Sequence, residues 1–255
     1  MTQHEGIILG LCLMAAVLHG ISGIGFPMMS TAALSSHYDL AHAVALVTLP
    51  CLILNMVMLG ADPTRSWQQS LRYYTQKFWP LVLSSLIGSI LGVKLLLFVD
   101  QAYLKLLMGV SMLIYVLDQF RRQPFSLASN TQNMLIFGAL AGLIGGATNA
   151  MAPFLMMYLL SARLAKVEIV VVSNLCFVAS KWVQLAMLTP VILSFQRPEF
   201  NLLILITLFA LFGIWLGSRL RHVLAAQHFK VVVLMVLMAF ALHALWQGVA
   251  LLQHS

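Results

Sequence analysis

The chain has 255 residues, 61% of them hydrophobic and 8% charged, with 14 Lys and Arg against 7 Asp and Glu for a net charge of +7. Soluble domains carry roughly 25% charged residues, so these few charges cannot dress a globule of this size in water. A soluble enzyme, a disordered chain and a nucleic-acid binder are excluded, and the composition points to an all-α polytopic membrane protein with its basic excess at the membrane surface.

A spanning helix needs about 20 mostly apolar residues. Eight apolar segments are predicted in chain order, at 6–34, 41–60, 79–98, 102–118, 133–162, 167–188, 200–218 and 228–250. The first has no Lys or Arg before it and no clear cleavage site, so it reads as a membrane segment and not a signal peptide. It is too long for one straight span, and His19-Gly-Ile-Ser-Gly-Ile-Gly-Phe-Pro27 interrupts it in the middle. Glycine releases the backbone and proline removes a donor, so the helix is expected to break there. Between the second and third segments, Trp67, Leu71, Tyr74 and Phe78 recur at helical spacing, with Arg65, Arg72 and Lys77 among them. That pattern predicts a helix lying in the interface, with aromatic anchors and basic snorkelers. The linker 119–132, with Pro124 and a polar run, is the natural hinge of the chain. The fifth segment is long like the first, and is broken at Gly145-Gly-Ala-Thr-Asn-Ala-Met-Ala-Pro153.

The two halves, 1–118 and 133–255, resemble each other as repeats within one transmembrane domain. Leu83, Leu86, Gly88, Leu91, Gly92 and Leu95 recur 125 residues later as Leu208, Leu211, Gly213, Leu216, Gly217 and Leu220. Upstream, an offset of 126 aligns Gly20 with Gly146, Ser22 with Thr148, Pro27 with Pro153 and Asn55 with Lys181. Duplicated halves are a common build of secondary transporters, with the site at their interface.

Two topologies are open. If all eight segments span, the basic residues divide six against seven between the two sides. If the broken segments are re-entrant, loops 61–78, 119–132, 161–168 and 219–230 share one side and hold ten basic residues against three, Lys94, Lys105 and Arg197, opposite. The second division is the asymmetry that the positive-inside rule expects, and it makes the repeat inverted, with three full spans per half.

No Asp or Glu lies at the middle of an apolar segment, which argues against cation transport and against a carboxylate proton relay. Lys181 is the basic exception, well inside LCFVASKWVQLAM. A cation there is costly unless paired or watered, so it is a candidate anion-binding group, against the alternative that it snorkels. Asn174, two turns earlier, is expected to share its surroundings, and Asn55 is the uncharged match in the first half. The half-helices after the breaks present N–H groups and positive dipole ends toward the membrane centre, and together they are expected to form one anion site. Ser22 and Thr148 would add hydroxyls and Asn149 an amide, while Gly20, Gly23, Gly25 and Gly146 allow close backbone approach. Pro27 and Pro153 are the structural helix breaks. His19 is a candidate protonation switch, with a packing role as the alternative. Gly88, Gly92, Gly138, Gly142, Gly213 and Gly217 read as helix-packing residues. Cys12, Cys51 and Cys176 read as buried packing residues, His243 as structural, and His37, His42, His222, His228 and His254 as loop or interface residues. No metal-ligand spacing, nucleophile elbow or phosphate loop is present, so neither a metal site, nor a cofactor, nor an enzyme activity is expected.

On these residues the sequence resembles the sulfite exporter TauE/SafE family of membrane permeases. Members have two homologous halves, each opening with a glycine-rich broken segment similar to GxxGxGGGxxxxP. Gly20, Gly23 and Gly25 fall on the first motif, and Gly145, Gly146 and Pro153 on the second. The first glycine triplet is interrupted by Phe26 and Pro27, and Thr148-Asn149-Ala150-Met151 replaces further glycines in the second. The resemblance implies transport of a small sulfur-containing or organic anion, such as sulfite or a sulfonate, in a bacterial inner membrane. Expected partners are that anion, a coupling proton or ion, the lipid bilayer and a second copy of the chain. A passive channel for small solutes, built on the two half-helices, is the alternative.

Overall fold

A computed structural model describes residues 3–120, 127–220 and 226–254, with side chains described from Glu5 to Gln253 apart from 226–230 and 232–233. Arg121, Arg122 and Pro124 of the linker lie outside the described residues, as do Arg221, His222 and the side chains of His228, Lys230 and His254. The helices are α1 (Gln3–Ser22), α2 (Phe26–Leu34), α3 (Leu40–Met58), α4 (Trp67–Lys77), α5 (Trp79–Phe98), α6 (Gln101–Gln119), α7 (Thr131–Thr148), α8 (Ala152–Ser161), α9 (Lys166–Met187), α10 (Thr189–Leu193), α11 (Arg197–Leu220) and α12 (Ala226–His254). No strand occurs among the described residues. Seven helices, α1, α3, α5, α6, α9, α11 and α12, are long and apolar enough to cross a membrane, so the chain is an all-α, multi-pass membrane protein.

Local chemistry sets the ends of these helices. The Asp39 carboxylate accepts from the His42 N–H at 3.0 Å, Asp100 from Ala102 at 2.7 Å, and the Asn130 amide oxygen from Asn133 at 2.8 Å. Each satisfies a backbone donor that has no partner inside the helix. Proline occupies the first turn of α2, α5, α8 and α10, where its missing N–H costs nothing.

Close backbone contact between glycine-lined faces assembles the bundle. A Cβ on Gly142 of α7 would lie 2.0 Å from the Ser85 carbonyl oxygen of α5, and one on Gly92 of α5 would lie 2.1 Å from that of Leu143. The pair α1 and α11 repeats this: a Cβ on Gly217 would lie 2.2 Å from the Val17 carbonyl and one on Gly213 would lie 2.6 Å from Ala16 Cβ. In lipid, where apolar surface is not hidden from water, this interlocking supplies much of the attraction between helices. The outward stripes Leu83, Ile87 and Leu91 on α5 and Leu208, Phe212 and Trp215 on α11 are exposed, as lipid-facing side chains must be. The centre is held by α3 and α9. The 40–61 window is 72% buried, the most of the seven, whereas the α12 window is 28% buried.

Contacts along the bundle give each helix a direction. Leu13 to Val17 of α1 meet Gly213 and Val17 to Gly20 meet Gly217, so α1 and α11 run parallel. Leu81 meets Gly138 and Gly92 meets Gly146, so α5 and α7 are parallel too. Gly109 meets Ala241 and Leu245 while Gly248 meets Ala102 and Leu106, which makes α6 and α12 antiparallel. Lys77 and Glu168, 2.7 Å apart, bring the end of α4 to the start of α9. His42 stacks on Phe195 with centroids 5.9 Å apart, bringing the start of α3 to the α10–α11 turn. Lys105 donates to the Ser35 carbonyl at 3.1 Å, so the far end of α2 returns to the start of α6. These contacts put both ends of each broken segment on one face of the bundle: the α10 face for α1–α2 and the α4 face for α7–α8. A return to the same face is the path that the re-entrant reading of the sequence expects. Topology reporters inserted in α4 and fused at the C-terminus are therefore expected on opposite sides of the membrane. Reporters on one side would overturn this path.

Two sequence expectations need correction. The breaks are not central, because α1 has 20 residues and α2 nine, while α7 has 18 and α8 ten. At 1.5 Å per residue the first arm is about 30 Å long and the second about 14 Å, because the helix runs on through Gly20 in α1 and Gly146 in α7 and turns only where Gly23, Gly25 and Asn149 take positive φ. The second correction concerns α4. Its Tyr74 and the following Phe78 are buried in the protein, with Leu71 packed beside them, so this stripe docks on the bundle instead of anchoring in lipid. Asp62 makes the difference. Its carboxylate accepts from the Tyr74 hydroxyl at 3.0 Å, from Arg65 at 2.6 Å and from Thr64 at 2.6 Å. The Thr64 hydrogen bonds, with those from Arg65 and Tyr74, hold the Asp62 carboxyl well below the usual carboxylate range, and burial with the Asp62 contact pushes the Tyr74 phenol up to about 12. Trp67 alone keeps a half-exposed ring, with its indole N–H on the Met56 carbonyl at 2.9 Å.

Candidate functional site

Asn149 ends α7 in the left-handed conformation, with φ of 62°. Asparagine is one of the few residues with a side chain that tolerates this region. The break therefore gains an amide where a glycine would offer none. The Asn149 amide oxygen accepts from the Lys181 ammonium and from the Gln184 amide nitrogen at 2.9 Å, and its nitrogen donates to the Thr31 hydroxyl of α2 at 2.7 Å. Gln184 lies one turn after Lys181 on α9. Its oxygen accepts from Lys181 at 2.5 Å and from Thr48 of α3 at 3.3 Å, and its nitrogen donates to the Gly145 and Gly146 carbonyls at 3.1 and 3.2 Å. The ammonium thus rests on Asn149 of the α7–α8 break and Gln184 of α9, and Thr31 of α2 and Thr48 of α3 bond those two amides in turn.

Lys181 is 3% exposed, and its hydrogen-bond partners are neutral amide oxygens. Among the described residues it pairs with no carboxylate. The acids are engaged at helix ends: Asp39 with His42, Asp62 with Arg65, Glu168 with Lys77, Asp100 on Ala102 and Glu199 on the Gln196 N–H. The centre of the bundle therefore carries a positive charge offset only by dipoles. The ten-residue α8 begins three residues after Asn149, so the positive end of its dipole lies at this break. Such a centre can hold an anion without first releasing a bound carboxylate.

The first break is built differently. Ser22 Oγ donates to the Leu18 and Ile24 carbonyls, both at 2.8 Å, and accepts from the Ile24 N–H at 3.3 Å, so its hydroxyl closes the turn. Gly23 and Gly25 have φ of 78° and 115°, values that side-chain-bearing residues rarely adopt. Asn174 donates to the Gly23 carbonyl at 3.0 Å and to that of Val170 at 2.7 Å. His19 is fully buried, and its carbonyl accepts from the Gly23 N–H at 2.6 Å. Asn55 is buried on α3.

Of the residues expected from sequence, Lys181 and Asn149 meet directly. Asn174 does not join them: it serves the first break, while Lys181 serves the second, about 10 Å further along α9. Asn149 meets the second turn of α2, not its start. Thr148 turns its hydroxyl back to the Ile144 carbonyl at 2.8 Å and accepts from Ala150 at 3.3 Å. Gly20 packs on α11, where a Cβ would lie 2.6 Å from the Ile214 carbonyl, so its role is close packing. Gly146 combines packing on Ser89 and Gly92 with a carbonyl on Gln184. Pro27 and Pro153 stand in the first turns after the breaks. Gln184, Thr31 and Thr48 were not expected. Gln184 carried a usable signal, a polar residue one turn from a buried lysine. The threonines did not, since threonine is common in apolar helices.

The profile described as sulfite exporter TauE/SafE matches residues 8–244 of the chain. No curated protein and no solved structure matches it.

Proposed function

This chain belongs to the sulfite exporter TauE/SafE family, and we propose that it carries a small sulfur-containing or organic anion, such as sulfite or a sulfonate, across the bacterial inner membrane. The family is one of membrane permeases, so a small anionic substrate and the lipid bilayer are the partners that membership implies. The substrate site in this reading is the second break. Lys181 supplies the charge, Asn149, Gln184, Thr31 and Thr48 supply hydrogen bonds, and the start of α8 supplies dipole. Thr148 and Gly146 shape the turn. The observation that carries the reading is Lys181, a buried ammonium whose partners are neutral.

The reading takes residues 1–118 and 133–255 as inverted repeats joined by 119–132. It is supported by the reciprocal pairing of α1 with α11 and of α7 with α5, each through glycines at corresponding positions. Alternating access then arises as the halves rock about the antiparallel α3 and α9. The positive-inside rule puts the α4 face in the cytoplasm.

Purified protein in liposomes, offered sulfite, small sulfonates, carboxylates and uncharged solutes in turn, tests this. Saturable, gradient-driven accumulation of sulfite or a sulfonate is the expected result. Unsaturable passage of uncharged solutes at equal or greater rate would instead make the protein a passive channel.

A further inference from the structure

We propose that the first break binds a monovalent cation of the sodium class through neutral oxygens, at the position that the Lys181 ammonium fills at the second. The inference rests on reading the two breaks as counterparts in an inverted repeat, and it assigns the coupling ion of that transporter.

At the second break, α7 ends with its carbonyl dipoles pointing into the bundle. Gln184 donates to the Gly145 and Gly146 carbonyls, and the Lys181 ammonium rests on Asn149 just beyond them. The negative end of the helix dipole thus faces the Lys181 side chain. The offset of 126 residues puts Asn55 in the place of Lys181, Met58 in the place of Gln184 and Gly23 in the place of Asn149. The end of α1 therefore carries the Asn174 amide on its Gly23 carbonyl, and a neutral Asn55 where the second half has Lys181.

Polar atoms at the first break await such a partner. Asn55 is 0% exposed, and neither its oxygen nor its nitrogen has a hydrogen-bond partner. Asn174 is also 0% exposed, and its Oδ1 has none. Its orientation is not in question, because its nitrogen bonds two carbonyls, and a flipped amide would set oxygen against both. Oδ1 is thus a buried acceptor fixed beside Gly23, and leaving such an atom without a donor or cation is costly. The two amides lie on helices that pack against each other, α3 and α9. Leu59, one turn after Asn55, and Leu175, adjacent to Asn174, belong with Ile24 to one larger hydrophobic cluster. The turn itself is open at half-buried Gly25, where a Cβ would meet nothing within 4 Å.

The ligand class follows from the donor set. Amide and backbone carbonyl oxygens suit a hard cation. Unwound backbone at a broken membrane helix is a recurrent place for Na+. The described acids lie near helix ends, so no carboxylate is at hand to balance a second positive charge, which selects a monovalent ion. One break would then hold a built-in cation and the other an exchangeable one. The exchangeable ion raises the positive potential of the bundle centre when it binds, and so favours anion entry.

The test uses the full-length protein in detergent, titrated with sodium gluconate against choline gluconate at constant pH and ionic strength, and the same protein in liposomes. Sodium is expected to raise the melting temperature saturably, and an imposed sodium gradient to accelerate sulfite flux. Asn55→Ala should raise the half-saturating sodium concentration at least about tenfold, the loss expected for one ligand. Asn55→Lys, which restores the ammonium, should make the melting temperature independent of sodium. Lys181→Met should lose anion flux but keep the sodium shift. Wild-type protein with no sodium shift, or flux driven by a pH gradient alone, would overturn the proposal and leave the anion site standing. A Lys181→Met variant with full flux would remove the anion site itself.

Discussion

Replacing Lys181 with methionine is expected to lower sulfite or sulfonate flux at least about a hundredfold, because one charge-assisted contact in a low-dielectric site is worth roughly 3 kcal/mol. The same substitution is expected to leave the melting temperature unchanged or to raise it. Lys181 is buried against amide oxygens, with no carboxylate partner among the described residues. The folded protein therefore bears the desolvation cost of an ammonium that nothing fully offsets. Methionine removes that cost and nearly fills the space. Opposite signs in flux and stability separate a substrate-binding lysine from a packing one, since a structural lysine would lower both together. Binding provides a second readout. The wild type should be stabilised by added sulfite and Lys181→Met should not. Full flux in the variant would exclude Lys181 from the site.

Gly142→Ala is expected to be the more damaging change to the fold, although it adds a single methyl group. That carbon would lie 2.0 Å from the Ser85 carbonyl oxygen, 2.8 Å from its carbonyl carbon and 2.9 Å from its Cα. All three are backbone atoms of a helix, so no side chain can swing away, and α5 and α7 must part along their length. Overpacking costs typically about 1–3 kcal/mol, and here the backbone contact raises the expected loss to the upper end or beyond. Little folded protein should be recovered, with a clear fall in melting temperature. Gly10→Ala is the control. Its Cβ meets nothing within 4 Å, and alanine favours helix over glycine, so that variant should be as stable as the wild type or slightly more so. Equal melting temperatures for the two variants would mean that the α5–α7 contact is looser than these distances indicate.

Much of the helical layout is legible in the residues. The predicted 79–98 coincides with α5, and 167–188 differs from α9 by one residue at each end. Apolar runs of spanning length can satisfy their backbone in lipid only as helices, so neighbours have little say in where such a helix begins and ends. The breaks are legible for the same reason, as Gly23 and Gly25 adopt backbone conformations that exclude most side chains. Tyr74 shows the limit. Its spacing with Trp67 and Phe78 fits an interfacial anchor, yet its hydroxyl finds Asp62, and the helix turns that stripe inward. Periodicity reports that a face is apolar, not whether lipid or protein covers it. The site shows the limit again. Lys181 could be singled out because a charge inside an apolar run is costly wherever its partners are. Thr31 and Thr48 could not, because each acquires its role from a partner more than a hundred residues away.

The scarcity of charge carries two kinds of information. The residues alone specify a helical membrane protein with two broken segments, acids confined to segment ends and one lysine inside. Composition and local backbone chemistry decide those features before any helix meets another. Helix packing is what pairs Asn149 and Gln184 with that lysine, gives Asn174 to the first break, and leaves Asn55 and Asn174 buried with atoms unpaired. Hydrogen bonds have short range and strict direction, so their pairing is settled only when glycine-lined helices close to backbone contact and bring distant polar atoms within about 3 Å of each other.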